Sequence, residues 1–441
     1  MANTYLSRTF GSAGNRQSWT WSGWIKKSKV YNSTSSSDRE VWFGGYSGNN
    51  DTDWLEFGTQ GDVFYFTTNS IGNTGNRLMR DSNAWFHAVV TYDGSNLKFY
   101  YNNELDFNNT QLSGNRGINA ASIHTIGTMP KNAGTLRFFS GVMSHVHFVD
   151  GSILAPSVFG ETDATTGEWK IITSPSYTAG TNGFFILKDG NSGTDQSTNS
   201  NNFTAYGTLT KTEDCPSNVF CTMNPLDNYY PASSFTNGNN SIGTSSSNRS
   251  YNTGTLGASS GKYYWEVKCV SNVTASNGCY IGIASTNPTN NGSSSQQTLG
   301  YKQYDYGFAS ANGNINTNNS QSSYGNAYGD NDIIGVAMDL DNNKLYFHKN
   351  GTYENSGVPT SGSTGTGAVS IQAASGTLNG VYTPGLGDWW IDGFNVAFNF
   401  GNGYFGTTAV SSAGTNASGN GIFEYDVPTG YTALSTKGLN L

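Results

Sequence analysis

Glu104-Leu-Asp106-Phe-Asn108-Asn109 sets two carboxylates two residues apart, and an extended backbone would aim both at one face. Retaining glycosidases use such a pair about 5 to 5.5 Å apart, one as nucleophile and one as proton donor. The residues that follow, Asn108 and Asn109, are amides that cannot donate a proton at neutral pH. The run therefore reads as a strand edge beside a turn. The histidines are His87, His124, His145, His147 and His348. His145 and His147 would share a strand face and could clasp a metal, but no third ligand accompanies them, and no Gly-x-Ser-x-Gly elbow leads into a helix. The chain is read as having no catalytic residues. No cofactor is expected, with calcium the one candidate: Asn50-Asp51-Thr52-Asp53 offers oxygen ligands in a loop, and Asp51 and Asp53 would hold the ion. Asp339-x-Asp341-x-Asn343 begins like a calcium loop, yet Lys344 stands in the tight-turn glycine position and Asn350 in that of the bidentate glutamate, so a hairpin turn accounts for it.

Aromatic side chains are the remaining chemistry. Sugar rings stack their apolar C–H faces on Trp or Tyr, while neighbouring amides and hydroxyls meet the sugar hydroxyls. Tyr46 and Trp54 in the first half, and Tyr304, Tyr324, Tyr328, Trp389 and Trp390 in the second, lie beside polar loops and are the candidate ligand contacts. In Trp389-Trp390 strand alternation would aim one ring inward and the other outward. Trp21, Trp85 and Trp265 are assigned to cores.

The elements that must position these rings are strands. Apolar residues recur at every second position in Ile334–Leu340, in Val396–Phe400 and around Trp19 and Trp21, which predicts antiparallel sheets with one face buried and one wet. Only 12% of the 441 residues are charged against about 25% in an average domain, which excludes a coiled coil, a helical bundle and a charged disordered chain. The net charge of −8 and the lack of a basic stripe argue against a nucleic-acid partner. Lys26, Lys27 and Lys29 form the only basic cluster and read as a solvated strand end. No run approaches the roughly 18 apolar residues of a membrane helix, so no membrane insertion is expected. The opening ten residues lack the apolar core of a secretory signal, so synthesis in the cytosol is expected, with the four cysteines reduced.

This length exceeds what one core usually spans, so two domains are predicted. Residues 189–202 contain no large apolar side chain and mark the join. The halves share a hairpin: the run from Thr91 through Asp93, Leu97 and Phe99 to Asn102-Asn103 aligns without gaps on the run from Asp339 through Asp341, Leu345 and Phe347 to Asn350-Gly351. The fold class is all-β, two tandem antiparallel sandwiches.

Three sets of residues resemble known families. Trp19-Thr-Trp21-Ser-Gly-Trp24-Ile25, the run Trp85–Asn103, Ile126-Gly127 and Phe139–Phe148 resemble the concanavalin A-like, laminin G-type jelly roll over residues 1–188. The glucanase relatives of that fold carry Glu-x-Asp-x-x-Glu or Glu-x-Asp-x-Glu, which the amides at 108 and 109 break; laminin G-type domains often bind calcium. Gly261–Val267, Tyr280–Ala284, Tyr306-Gly307-Phe308, Ile334-Gly335-Val336, Asn350-Gly351, Asn399-Phe400-Gly401 and Pro428–Tyr431 resemble a SPRY domain over 226–441, which implies partner binding through end loops and a core place for Tyr306. The connector 189–225, with Asn201-Asn202-Phe203-Thr204 and Asn224-Pro225, looks like that of structural proteins of marine tailed bacteriophages. That resemblance implies a virion component, such as a tail fibre, appendage or head decoration. It would be present in many copies or as a homo-oligomer, with other virion proteins and a host surface glycan or protein as partners. A polysaccharide depolymerase and a purely structural virion joint are the alternatives.

Overall fold

The structure is a computed structural model that describes residues 3–31, 33–50, 52–188, 192–229, 233–274, 278–285, 298–389 and 393–440. The chain divides into two compact units, Met1–Lys211 with Cys215–Ser217, and Thr212–Asp214 with Asn218–Leu441. Each is a sandwich of antiparallel sheets, in keeping with the all-β expectation.

In the first unit, sheet I runs in the order Thr204–Tyr206, Tyr5–Thr9, Ile123–Ile126, Arg39–Tyr46, Trp54–Gln60, Val63–Thr67, Gly72–Thr74. Sheet II runs Phe184–Ile186, Gly141–Asp150, Trp19–Lys27, Phe86–Tyr92, Leu97–Tyr101, Glu104–Asn109. Trp19, Trp21, Trp42, Phe43, Phe57 and Phe148 fill the space between them. In the second unit, sheet III runs Met223–Asn228, Ser250–Gly254, Thr383–Asp388, Cys279–Ala284, Tyr306–Ala309, Asn314–Thr317, Ser320–Ser323. Sheet IV is centred on Asn395–Asn399, Lys262–Ser271, Ile333–Asp339 and Lys344–Lys349. Its inward residues Trp265, Val267, Ile334, Val336 and Phe398 meet Ile281, Phe308 and Leu386 of sheet III.

The shared hairpin is built alike in both units. The Asn102 amide bonds to the His87 carbonyl, and the His87 amide donates to Asn102 Oδ1 at 2.8 Å. Asn350 and Ile333 repeat both bonds, the second also at 2.8 Å. The turn then needs left-handed backbone, which Asn103 supplies at φ 71° and Gly351 at φ 83°.

Three expectations are corrected. The central strands are not wet on one face: every residue of Trp19–Lys27, Phe86–Tyr92 and Ile333–Asp339 is buried, because irregular segments cover the outer faces. The basic cluster is not a solvated strand end, since Lys26 and Lys27 are buried and Lys27 pairs with Asp62. The stretch 189–225 is not a free linker. Thr204–Tyr206 adds a strand to sheet I, Phe203 enters the first core, and the Asp195 carboxylate collects the amides of Phe185 and Asn201, while Phe220 and Cys221 are buried in the second unit. Polar composition hid these roles because the polar groups satisfy backbone inside the fold rather than facing water. All four cysteines are free thiols, and Cys221, Cys269 and Cys279 are buried.

Candidate ligand-binding site

Alternation along sheet III sends Ile281, Ile283 and Leu386 inward and Tyr280, Gly282, Gly385 and Gly387 outward. Glycines on the outward face let the segment 298–305 lie flat on the sheet: a Cβ on Gly385 would stand 2.7 Å from Leu299 Cδ1, and one on Gly387 would overlap Thr298 and Leu299. Leu299 thus packs with Tyr229, Tyr251, Tyr280 and Ala309 in a small outer cluster. The Tyr251 hydroxyl fixes the end of the segment by donating to Asp305 Oδ2 at 2.7 Å.

On this base stands an aromatic patch. Trp389 is half-buried against the cluster, Tyr301 stacks beside it with ring centroids 6.1 Å apart, and the Arg249 guanidinium lies 4.1 Å from the Trp389 ring centroid. Tyr304 leaves the same segment half-buried, with its backbone at φ 72°. Near the far end of the sheet, Gln321 donates to the Tyr280 hydroxyl at 3.4 Å and accepts from Asn312 at 3.1 Å. Rings beside a cation and side-chain amides can stack on an apolar face while hydrogen-bonding its hydroxyls.

The structure places the sequence candidates unevenly. Trp389 belongs to this patch, Tyr304 lies on the same segment near Tyr382 at the other end of the Thr383–Asp388 strand, and Trp390 lies outside the described residues. Tyr328 is instead a core residue, 2% exposed, whose hydroxyl donates to the carbonyls of Phe308 at 2.8 Å and Cys279 at 3.0 Å. Tyr324 sits edge-on to Phe308 and Phe347, and its hydroxyl accepts the Phe347 amide at 3.2 Å. Both were placed on a loop rim because their neighbours are Gly, Asn and Ser, but the loop folds back over the core. In the first unit Tyr46 and Trp54 are direct cross-strand partners on the outer face of sheet I. Trp54 is buried, with Lys131 Nζ 5.5 Å from its ring, while half-buried Tyr46 donates to Asn49 at 3.2 Å. Tyr306 is buried, its hydroxyl accepting the Gln372 amide, as its core assignment requires.

Asp53 is half-buried, and its carboxylate accepts from Asn50 Nδ2 and Thr52 Oγ1 within its own loop. Asp51 lies outside the described residues, and no group of three His, Cys, Asp or Glu side chains among the described residues could hold a metal. Glu104 and Asp106 both face Arg77, and Asn109 Oδ1 caps the amides of Gln111 and Leu112. His145 and His147 both lie against the Phe185 ring, at 5.7 and 3.9 Å, but a bulge between Ser144 and His147 puts His145 at φ 49°, and His147 meets the Tyr177 hydroxyl at 2.6 Å rather than a metal ligand set. Sequence reading missed Arg249 and Tyr301. The signal available was a lone arginine in a serine run of a charge-poor chain, and a tyrosine following a glycine that needs positive φ.

The family model for the Concanavalin A-like lectin/glucanases superfamily matches residues 2–159, and that for the SPRY domain matches residues 262–373. The first unit is concanavalin A-like over its matched residues, and the second is SPRY-like over its own. No curated protein matches the sequence. Among solved structures, the SPRY domain of human HERC1 is similar at 15% identity, covering 40% of this chain and 96% of that one with a TM-score of 0.32. A putative carbohydrate binding protein from Bacteroides ovatus ATCC 8483 is similar at 19% identity over 49% of this chain and 59% of that one, TM-score 0.32. A native heptameric SAP-like pentraxin from Limulus polyphemus follows at 14% identity over 35% and 72%, TM-score 0.28. The matched segments place a concanavalin A-like part before a SPRY-like one.

Proposed function

We propose that this chain is a non-enzymatic adhesion protein of a phage virion surface, in a tail fibre, appendage or head decoration. Its SPRY unit would hold a glycan on the Trp389 patch. The observation that carries the glycan reading is the half-buried Trp389 ring flanked by Tyr301 and Arg249 on a rigid sheet. A rigid platform costs little conformational entropy on binding, and many copies on one particle would raise weak single-site affinity by avidity. The virion placement rests on the resemblance of the connector and of the domain order to marine tailed-phage proteins. Other virion proteins and a host glycan are then the partners, and host cytoplasm the place of synthesis. Calcium at the Asp53 loop is part of the same proposal.

The test is capture of the full chain on an array of bacterial surface glycans, with and without calcium. Binding should fall about tenfold, or ~1.4 kcal/mol, in Trp389→Ala. Equal binding by the variant overturns the site. Release of reducing ends from a captured polysaccharide overturns the non-enzymatic reading. Antibody to the chain should label the surface of particles that carry its coding sequence, and unlabelled particles overturn the virion reading.

A further inference from the structure

Lys27 ends a strand of sheet II with its side chain turned into one end of the first core, where its side chain is 2% exposed. Its Nζ lies 3.0 Å from Asp62 Oδ1 and 3.1 Å from the Gly61 carbonyl oxygen. Gly61 and Asp62 form the turn between two strands of sheet I, so the contact bridges the two sheets. The Asp62 side chain is 1% exposed. Its carboxylate also receives the Tyr31 amide at 3.1 and 3.3 Å and Arg80 Nε at 2.9 Å. Glu40, on the strand next to that turn, is buried beside the pair, accepts the Tyr31 hydroxyl at 2.9 Å, and feels the Lys27 charge.

Two opposite charges this dry each lose several kcal/mol of hydration. Passing one proton from the ammonium to the carboxylate removes both charges and leaves a free amine in contact with a carboxylic acid. The contact of 3.0 Å between Nζ and Oδ1 sets the amine directly against the carboxyl group it would attack. We propose that Lys27 and Asp62 join spontaneously in an intramolecular isopeptide bond, with Glu40 carrying the proton. The Nζ lone pair adds to Asp62 Cγ and forms the C–N bond. Arg80 Nε and the Tyr31 amide, already on the carboxylate, hold the oxyanion that develops. Glu40 takes a proton from the nitrogen and gives it to the departing oxygen; the C–O bond breaks and water leaves. The balance is amine plus carboxylic acid giving amide plus water. Burial pushes the Glu40 carboxyl up to about 7, so near neutral pH it can both take and give a proton. The product would be a covalent brace from sheet II to sheet I. The second unit supplies an internal control: Lys262 and Asp339 stand 3.1 Å apart and Asp339 is buried, but the lysine side chain is 25% exposed, so water reaches it.

The experiment is peptide mapping of the full chain after folding. Trypsin should yield a branched peptide joining residues 27–29 to 40–77, lighter than its two parts by one water, while Lys262 and Asp339 appear in linear peptides. Glu40→Gln should lose the branched peptide while its amide exchange over 1–211 stays that of a folded domain. Asp62→Asn should form the same bond with loss of ammonia instead of water. Quantitative recovery of linear 40–77, with cleavage after Lys27, from folded wild-type chain overturns the proposal whatever the variants do. A branched peptide formed at the wild-type rate in Glu40→Gln overturns the role of Glu40.

Discussion

The outer faces of sheets II and IV are both covered by irregular chain, and they are fastened in opposite ways. On sheet II, under residues 151–187, the contacts are mostly ring on ring. His87 lies 6.1 Å from Trp169 and 6.3 Å from Phe159, and His147 lies 5.2 Å from Phe159 and 5.6 Å from Tyr177. Trp169 Nε1 donates to His87 Nδ1 at 3.1 Å, so the imidazole proton sits on Nε2 and faces Ser22 Oγ at 2.8 Å. On sheet IV, under residues 411–435, the rings of Phe423 and Tyr425 and the pairing of Thr432-Ala433 with Tyr263-Tyr264 are joined by a buried carboxylate. Glu266 accepts the amides of Glu424 at 2.9 Å and Tyr425 at 2.8 Å, the Tyr264 hydroxyl at 2.9 Å and Asn399 Nδ2 at 3.3 Å. The His348 ring extends the chain, since its Nδ1 accepts the Gly351 amide and its Nε2 therefore donates to Tyr264 at 2.7 Å. The first cover is held mainly by rings against imidazoles, and the second adds to its rings one buried acceptor on which several donors converge. The first should yield to protonation of imidazoles, the second to loss of a single side chain.

Removing that acceptor is the sharpest way to break the comparison. Glu266→Ala takes the shared acceptor from four donors at once and should destabilise the second unit by on the order of 3–5 kcal/mol. Ser22→Ala on sheet II removes one hydrogen bond and should cost about 1 kcal/mol. Amide exchange by mass spectrometry separates the units: Glu266→Ala should lose protection over 411–435 with 1–187 unchanged. Equal losses for the two variants would erase the distinction between the covers.

Acid should act in the other direction. Burial lowers His87 to about 3 and His124 to about 4 from the ordinary 6.5, and it also holds His147 well below that value. The second unit holds one such group, His348, lowered by burial to about 3. A histidine lowered in the folded state contributes stability that is full above pH 6.5 and lost as pH falls toward its folded value. Glu40 and Glu266, both raised by burial to about 7, run the opposite way: their contribution is full below pH 4.5 and lost as pH rises through 7. They offset one another between the units, and Glu56, also raised, cancels part of the first unit's histidine term. From pH 6.5 to 4 the first unit should therefore lose stability faster than the second by about one proton, ~1.4 kcal/mol per pH unit. Denaturant titrations across that range, read by exchange in each unit, check the slope; a steeper loss in the second unit would reverse the assignment.

How much of this could be read from sequence depended on which face a residue served. Inward positions were legible: the alternation in Ile334–Leu340 and the shared Asp-led hairpin gave strands and two units, since a buried face fixes the pattern. Outward positions were not. Ser22, His87, Glu266 and His348 look like residues of a wet face, and only the covering segments, far away in sequence, bury them. Lys27 misled for the same reason, because its partner Asp62 is 35 residues away and a strand-end lysine is normally solvated. At the ligand patch the ring of Trp389 was legible as a candidate. Its companions Arg249 and Tyr301 were not, because loops that meet on one sheet leave no periodic trace.

Tyr328 and Trp389 divide the candidate rings most finely. Both are large aromatics next to polar loop sequence, yet the Tyr328 hydroxyl ties two carbonyls of sheet III inside the core, whereas the Trp389 ring is propped on the outside of the same sheet. Tyr328→Phe keeps the ring that packs on Phe308 at 5.1 Å and removes only the hydroxyl. It should cost the second unit about 1 kcal/mol, because the carbonyls of Cys279 and Phe308 lose their shared donor while the cavity left is no larger than one oxygen. Glycan capture should be unchanged, whereas Trp389→Ala should reverse the pattern, with binding lost and stability nearly kept. Measured side by side by denaturant midpoint and array binding, the two variants should fall on different axes. If Tyr328→Phe weakens capture as much as it weakens the fold, the patch and the core act as one body, and the outer face of sheet III is not an independent binding surface.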